Sequence, residues 1–123
     1  MAQNPVRWFE IYVKDMDRAK NFYEAVFKVK LEELSMPGME MWSFPMLQNK
    51  PGTSGALVKM KGVEPGANSV MIYFFSNDCA VEEKLIKKNG GKIHKPKTSI
   101  GEYGYISLAY DTEGNMIGVH SLK

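Results

Sequence analysis

A carboxylate set between aromatic rings is the feature of this chain that most directly suggests chemistry. In Trp8-Phe9-Glu10-Ile11-Tyr12-Val13, the residues Trp8, Glu10 and Tyr12 alternate with Phe9, Ile11 and Val13. A strand here is apolar on one face and carries two rings around a carboxylate on the other. That second face offers flat surface for burial and one group able to accept a hydrogen bond or a proton. Other reactive groups are less telling. Cys79 sits near an expected helix start, where a thiol can be activated, but has no His or Arg beside it in sequence and receives no role. The run Lys84, Lys87, Lys88, Lys92, Lys95 and Lys97 follows Glu82 and Glu83 across a helix end and loop, and reads as a solvated face rather than a phosphate track.

The elements that must position the Glu10 face follow from periodicity. After Val13 the pattern changes from two to three and four residues, with Ala19, Phe22, Tyr23, Val26 and Phe27 on one stripe, and Asp15 or Asp17 is placed to cap that helix. Strands are expected over Lys28 to Leu34, Met39 to Met46 and Ala56 to Met60, separated by Met36-Pro37-Gly38 and by the loop Asn49 to Gly55. The segment Gly62 to Asn68 has linker composition. Beyond it come a strand over Val70 to Phe75 and a helix over Asp78 to Lys88, stopped by Asn89-Gly90-Gly91. Lys92 to His94, Tyr103 to Tyr110 and Met116 to Leu122 complete the strands, and His94 is expected at an exposed strand edge.

The second half repeats the first. An offset of 63 sets Asp78 on Asp15, Leu85 on Phe22, Ile86 on Tyr23, Tyr105 on Trp42 and Gly118 on Gly55, the mark of a duplicated structural unit. At 123 residues the expectation is one α+β domain of two β-α-β-β-β modules sharing a core, since about 60 residues alone bury too little surface. The modules are expected at about 5–61 and 69–123, joined by a linker at 62–68. Hydrophobic residues make up 44%, charged residues 24%, and the formal charge is +2. That balance gives no argument for nucleic acid. No apolar run approaches the roughly 20 residues of a membrane-spanning helix, and Met1-Ala2-Gln3-Asn4-Pro5 lacks leader character. With a single cysteine, the expected location is cytoplasmic.

Phe9 to Tyr23, together with Asp111-Thr112-Glu113-Gly114-Asn115-Met116-Ile117, resembles the vicinal oxygen chelate superfamily of glyoxalase I, bleomycin resistance proteins and extradiol dioxygenases. The resemblance implies two modules whose curled sheets enclose a cleft. It also implies up to four His, Glu or Gln metal ligands on the first and fourth strands of each module. Those positions fall on Trp8, Met71, Gly55 and Gly118. An indole and two glycines offer a divalent cation nothing, and a thioether suits only soft metals. The expectation is therefore no metal and no cofactor. A two-residue slip, which preserves the strand face, lands on Glu10 and His120. These are the candidate catalytic pair, as base and assisting group, or they satisfy each other or water in a polar cleft.

The resemblance and strand parity together place Trp8, Tyr12, Trp42, Met71, Tyr73 and Tyr105 as a ligand-binding lining, with Phe44 and Phe75 among the further aromatics considered for it. Such a lining suits a flat or apolar small organic molecule. A filled core or a dimer interface accounts for the same rings. The expected function is metal-free small-molecule binding. The alternative is a lactoylglutathione lyase-like lyase or isomerase acting on a small oxygenated substrate. Expected partners are a small organic ligand and a second copy of the chain, as a homodimer, with neither nucleic acid nor membrane.

Overall fold

The computed structural model describes residues 4–123; Met1 to Gln3, part of the leader reading above, lie outside the described residues. The elements are β1 (Trp8–Tyr12), α1 (Met16–Phe27), β2 (Glu32–Leu34), β3 (Glu40–Ser43), β4 (Ser54–Lys59), β5 (Tyr73–Phe75), α2 (Cys79–Lys88), β6 (Lys92–Ser99), a short 3-10 turn (Gly101–Tyr103), β7 (Tyr105–Tyr110) and β8 (Met116–Ser121). They form two four-stranded mixed sheets of matching order, β1-β4-β3-β2 and β5-β8-β7-β6. In each, the first strand runs parallel to the fourth and the remaining pairs are antiparallel. This is the expected α+β duplication.

Local chemistry sets the helices. Asp15 rather than Asp17 caps α1, its carboxylate accepting from Arg18 N–H at 3.0 Å, and Asp78 caps α2 by accepting from Ala80 N–H at 3.1 Å. Lys28 ends α1 in the left-handed region (φ 55°), and Leu31 N–H then donates to the Glu24 carboxylate at 2.9 Å. The chain is thus still turning over residues 28–31, and β2 begins four residues later than periodicity predicts.

Each sheet has one face against the helices. Ile11 and Leu57 of the first sheet, Val13 just past β1, and Ile117 and Val119 of the second sheet pack with Phe22, Tyr23, Val26 and Ile86 in one core spanning both modules. Aromatic rings join the halves: Phe27 stacks on Phe74 at 4.1 Å between centroids, and Phe9 meets the same ring edge-on at 6.3 Å. Phe44, considered for the ligand lining, is 6% exposed and lies in this core beside Phe9 and Tyr23.

The turn Asp111 to Asn115 fastens the second module to the first. Tyr23 donates to Asp111 at 2.6 Å, and Asn115 donates to the Tyr12 carbonyl at 2.9 Å. Glu113 accepts from the backbone N–H groups of Lys14 and Asp15 and from the Arg18 guanidinium, all within 3.0 Å. The residues that carry the family resemblance therefore do structural work at the junction of the modules.

Candidate functional site

The register decides which side chains share a face. Trp8, Glu10 and Tyr12 pair with Ser54, Ala56 and Val58, and all point away from the helices, because Phe9, Ile11 and Val13 belong to the helix-side core. On this far face Glu10 is held by both neighbours: Tyr12 Oη donates to Oε1 at 2.8 Å, and Trp8 Nε1 approaches Oε2 at 3.3 Å. Two-residue spacing on a strand stacks the three side chains on one side, which is why the contacts are local. Donating to the carboxylate raises the Tyr12 pKa, with partial burial and the Glu10 charge adding to it. The phenol stays protonated, as a donor. Trp8 remains 37% exposed, so its ring is available for stacking.

In the second sheet Tyr73 pairs with Gly118, Phe75 with His120 and Ile106 with His120. These residues form the corresponding far face, opposite Phe74 and Val119 in the core. Tyr73 and Phe75 are 48% and 75% exposed. His120 Nε2 lies 2.7 Å from the Tyr103 carbonyl; a carbonyl only accepts, so Nε2 carries the hydrogen and Nδ1 is the nitrogen left for other chemistry. Glu10 and His120 each have other partners. The crevice beside Glu10 and the shallow depression beside His120 have no lining residue in common.

Several expected positions differ. Trp42 pairs with Leu57 and so belongs to the helix face, where the Lys20 ammonium sits 3.2 Å from its ring centroid and Glu40 accepts from its indole at 3.2 Å. Tyr105 pairs with Ser121 on the helix face of the second sheet, with Lys97 Nζ 4.8 Å from its ring centroid. Neither ring lies on the face of Glu10. Met71 precedes β5 and is half-buried, outside the strand that carries Tyr73. Gly55 is also on the helix side, directly beneath Phe9. The duplication accounts for this. Tyr12 and Phe75 are 63 apart, yet their partners Val58 and His120 are 62 apart. The fourth strand of the second module thus arrives one residue early, and the far-face counterpart of Gly118 is Ala56. His94 is exposed on the edge strand β6, against the Tyr110 ring.

The first and fourth strands therefore present Trp8, Glu10, Ala56, Val58, Tyr73, Gly118 and His120 on their far faces. Among the described residues, no three His, Cys, Asp or Glu side chains converge. The family's metal site does not fit these residues: Glu10 and His120 are the available ligands, and three or four are needed.

What fold and face define together is a protein of paired β-α-β-β-β modules with two unlike sheet faces, one packed on helices and one presenting aromatic rings, a carboxylate and an imidazole. The model of the Glyoxalase/Bleomycin resistance protein/Dioxygenase superfamily matches residues 6–119, and the chain belongs to that superfamily. Solved structures share the fold at low identity. TnmS3, an antibiotic binding protein from Streptomyces sp. CB03234, is 22% identical with a TM-score of 0.73, covering 98% of each chain. A glyoxalase/bleomycin resistance protein from Albidiferax ferrireducens is 16% identical with a TM-score of 0.69, covering 94% of this chain and 98% of that one. A glyoxalase I mutant from Zea mays is 19% identical with a TM-score of 0.77, covering 96% of this chain and 47% of that one. The chain thus spans about half the length of the maize enzyme. No curated protein matches at a significant level.

Proposed function

We propose that this protein binds a small organic molecule on the far face of its sheets, without a metal. The observation that supports this most is the array of Trp8, Glu10 and Tyr12, in which two rings flank a carboxylate that both of them orient. The rings supply area for stacking and burial, and Glu10 supplies a fixed acceptor for a donor group on the ligand. Tyr73, on the corresponding face of the second sheet, offers a further exposed ring. Antibiotic binding by TnmS3, a protein of the same fold and length, is compatible with this use. The lyase or isomerase reading requires Glu10 and His120 to act on one substrate. Their separate partners and separate surroundings favour binding over proton transfer.

A homodimer belongs to the same reading. β1 and β5 are both sheet edges, and Phe75, Tyr103 and Leu122 leave apolar surface that a second chain would cover. No helix is long and apolar enough to cross a membrane among the described residues, and Cys79 is a buried free thiol; both accord with a cytoplasmic location. The test is a ligand screen followed by tryptophan fluorescence. Trp8→Ala is expected to weaken binding by about 1 to 3 kcal/mol with the fold intact, and Glu10→Gln to remove the contribution of the carboxylate with little loss of packing. Unchanged affinity in both variants would refute the assignment.

A further inference from the structure

We infer that the crevice between the two modules is a binding site for a small organic cation, an aryl-alkyl ammonium. The inference rests on the proposed role of Glu10 as a ligand contact and extends it to a cavity and a ligand class. The crevice lies where the free edge of β1 approaches the start of β8 and the segment leading into β5. Its floor is apolar, built by Ile11, Ile72 and Ile117, and its volume is about 190 Å³. A cavity of about 150 Å³ accepts one benzene ring, so this one takes a ring with a short arm.

Polarity then selects the charge. Asn68 and Asn115 line the crevice, but their amides are occupied. Asn68 holds Val70 and Met116, and Asn115 holds Gly66, Tyr12 and Asp111. The polar side chains with capacity left are the carboxylates of Glu10 and Glu64, and no lysine or arginine lines the crevice among the described residues. Two carboxylates without a cation repel an anion and leave a neutral ligand no ionic gain, whereas an ammonium at the rim compensates both as its ring enters the apolar floor. Tyr12, whose hydroxyl is committed to Glu10, presents its ring there as a further surface for a cation.

The experiment titrates the purified full chain with three probes that share a phenyl ring on a two-carbon arm, 2-phenylethylammonium, 2-phenylethanol and 3-phenylpropionate, followed by amide NMR. The expected result is that the ammonium binds about fivefold or more tighter than the alcohol, the size of one solvent-accessible ion pair. The carboxylate should bind most weakly, and the shifted amides should include Gly66 and Ile72. Glu64→Gln, at an exposed residue, should remove about half of that preference in free-energy terms, roughly twofold in affinity for the ammonium, leave the remainder to Glu10, and leave the alcohol unchanged. Equal affinity for all three probes, or no binding by any, overturns the inference. If Glu64→Gln is silent and shifts are confined to Trp8 and Tyr73, the crevice assignment fails while the far-face binding reading stands.

Discussion

The hydroxyl of Tyr23, in the middle of α1, donates to Oδ2 of Asp111 over 2.6 Å, joining the first module's helix to the second module's β7–β8 turn with both residues sealed from water. Burial, and then the nearby Asp111 charge, hold the phenol pKa well above its usual range, so it remains a donor. Tyr23→Phe keeps the ring and leaves a buried carboxylate one donor short. A loss of about 1 to 3 kcal/mol is expected, read from urea denaturation. A smaller change than that of an exposed Tyr→Phe control would show that the bond does not tie the modules.

Acid sensitivity should localise to the same junction. Burial works to raise the Glu113 pKa but is outweighed by the Arg18 guanidinium, the N–H groups of Asp15 and Lys14 and the Thr112 hydroxyl, which hold it at about 2. A carboxylate depressed in the fold contributes stability above its unfolded value, and that contribution is lost as pH falls towards 2. Asp111 acts in the opposite direction: burial raises its pKa against its hydrogen bonds, so its contribution improves on acidification. Stability should therefore fall between about pH 4.5 and 2, and Glu113→Gln should flatten that limb while lowering stability at pH 7. Denaturation midpoints across that range decide it. An unaltered acid limb in the variant would assign the loss elsewhere.

The two fourth-strand glycines should respond differently to a methyl group. A Cβ on Gly55 would lie 2.3 Å from the Phe9 carbonyl oxygen and 2.5 Å from its ring, inside the core. The three atoms nearest a Cβ on Gly118 all belong to the Tyr73 side chain, the first at 2.4 Å, and Tyr73 is 48% exposed, so its ring can swing towards solvent. Gly55→Ala is expected to cost about 1 to 3 kcal/mol, and Gly118→Ala markedly less, in parallel thermal melts. Equal costs would contradict the register that sets Gly55 beneath Phe9.

Chelation gives a direct check on the metal. Trp8, Met71, Gly55 and Gly118 offer a divalent ion no hard ligand, and Glu10 with His120 supplies at most two, so a strong chelator should leave the melting temperature unchanged, and protein purified without chelator should carry no stoichiometric divalent ion. A drop of several degrees would reverse this.

The proposed homodimer would use the uncovered apolar surface. Light scattering should give the mass of two chains at micromolar concentration, and Phe75→Glu, at a residue 75% exposed, should shift the protein towards monomer by placing a charge in the contact. A monomer mass throughout the range would remove the dimer.

Much of the framework was legible in the residues alone. Period-two alternation separated Trp8, Glu10 and Tyr12 from Phe9, Ile11 and Val13, because a strand sends successive side chains to opposite faces whatever surrounds it. Three- and four-residue spacing with an Asp at the start located both helices, since caps and apolar stripes are local properties. The repeat of 63 was visible from strand to helix in both modules. Tertiary structure decided the rest. Trp42 sits on a strand with polar and apolar residues on both sides, and Tyr105 shares its side with Ser107 and Ala109 against the bulkier Ile106, Leu108 and Tyr110, so alternation could not say which face meets a helix; pairing with Leu57 and Ser121 did. Likewise, the change of offset to 62 in the fourth strand leaves no trace in composition, yet a single residue turns Gly55 to the helix side while Gly118 stays on the far face, because strand register is fixed by burial of one face across neighbouring strands. The tie from Tyr23 to Asp111 spans 88 positions. Only packing the two modules on one core could bring those groups together.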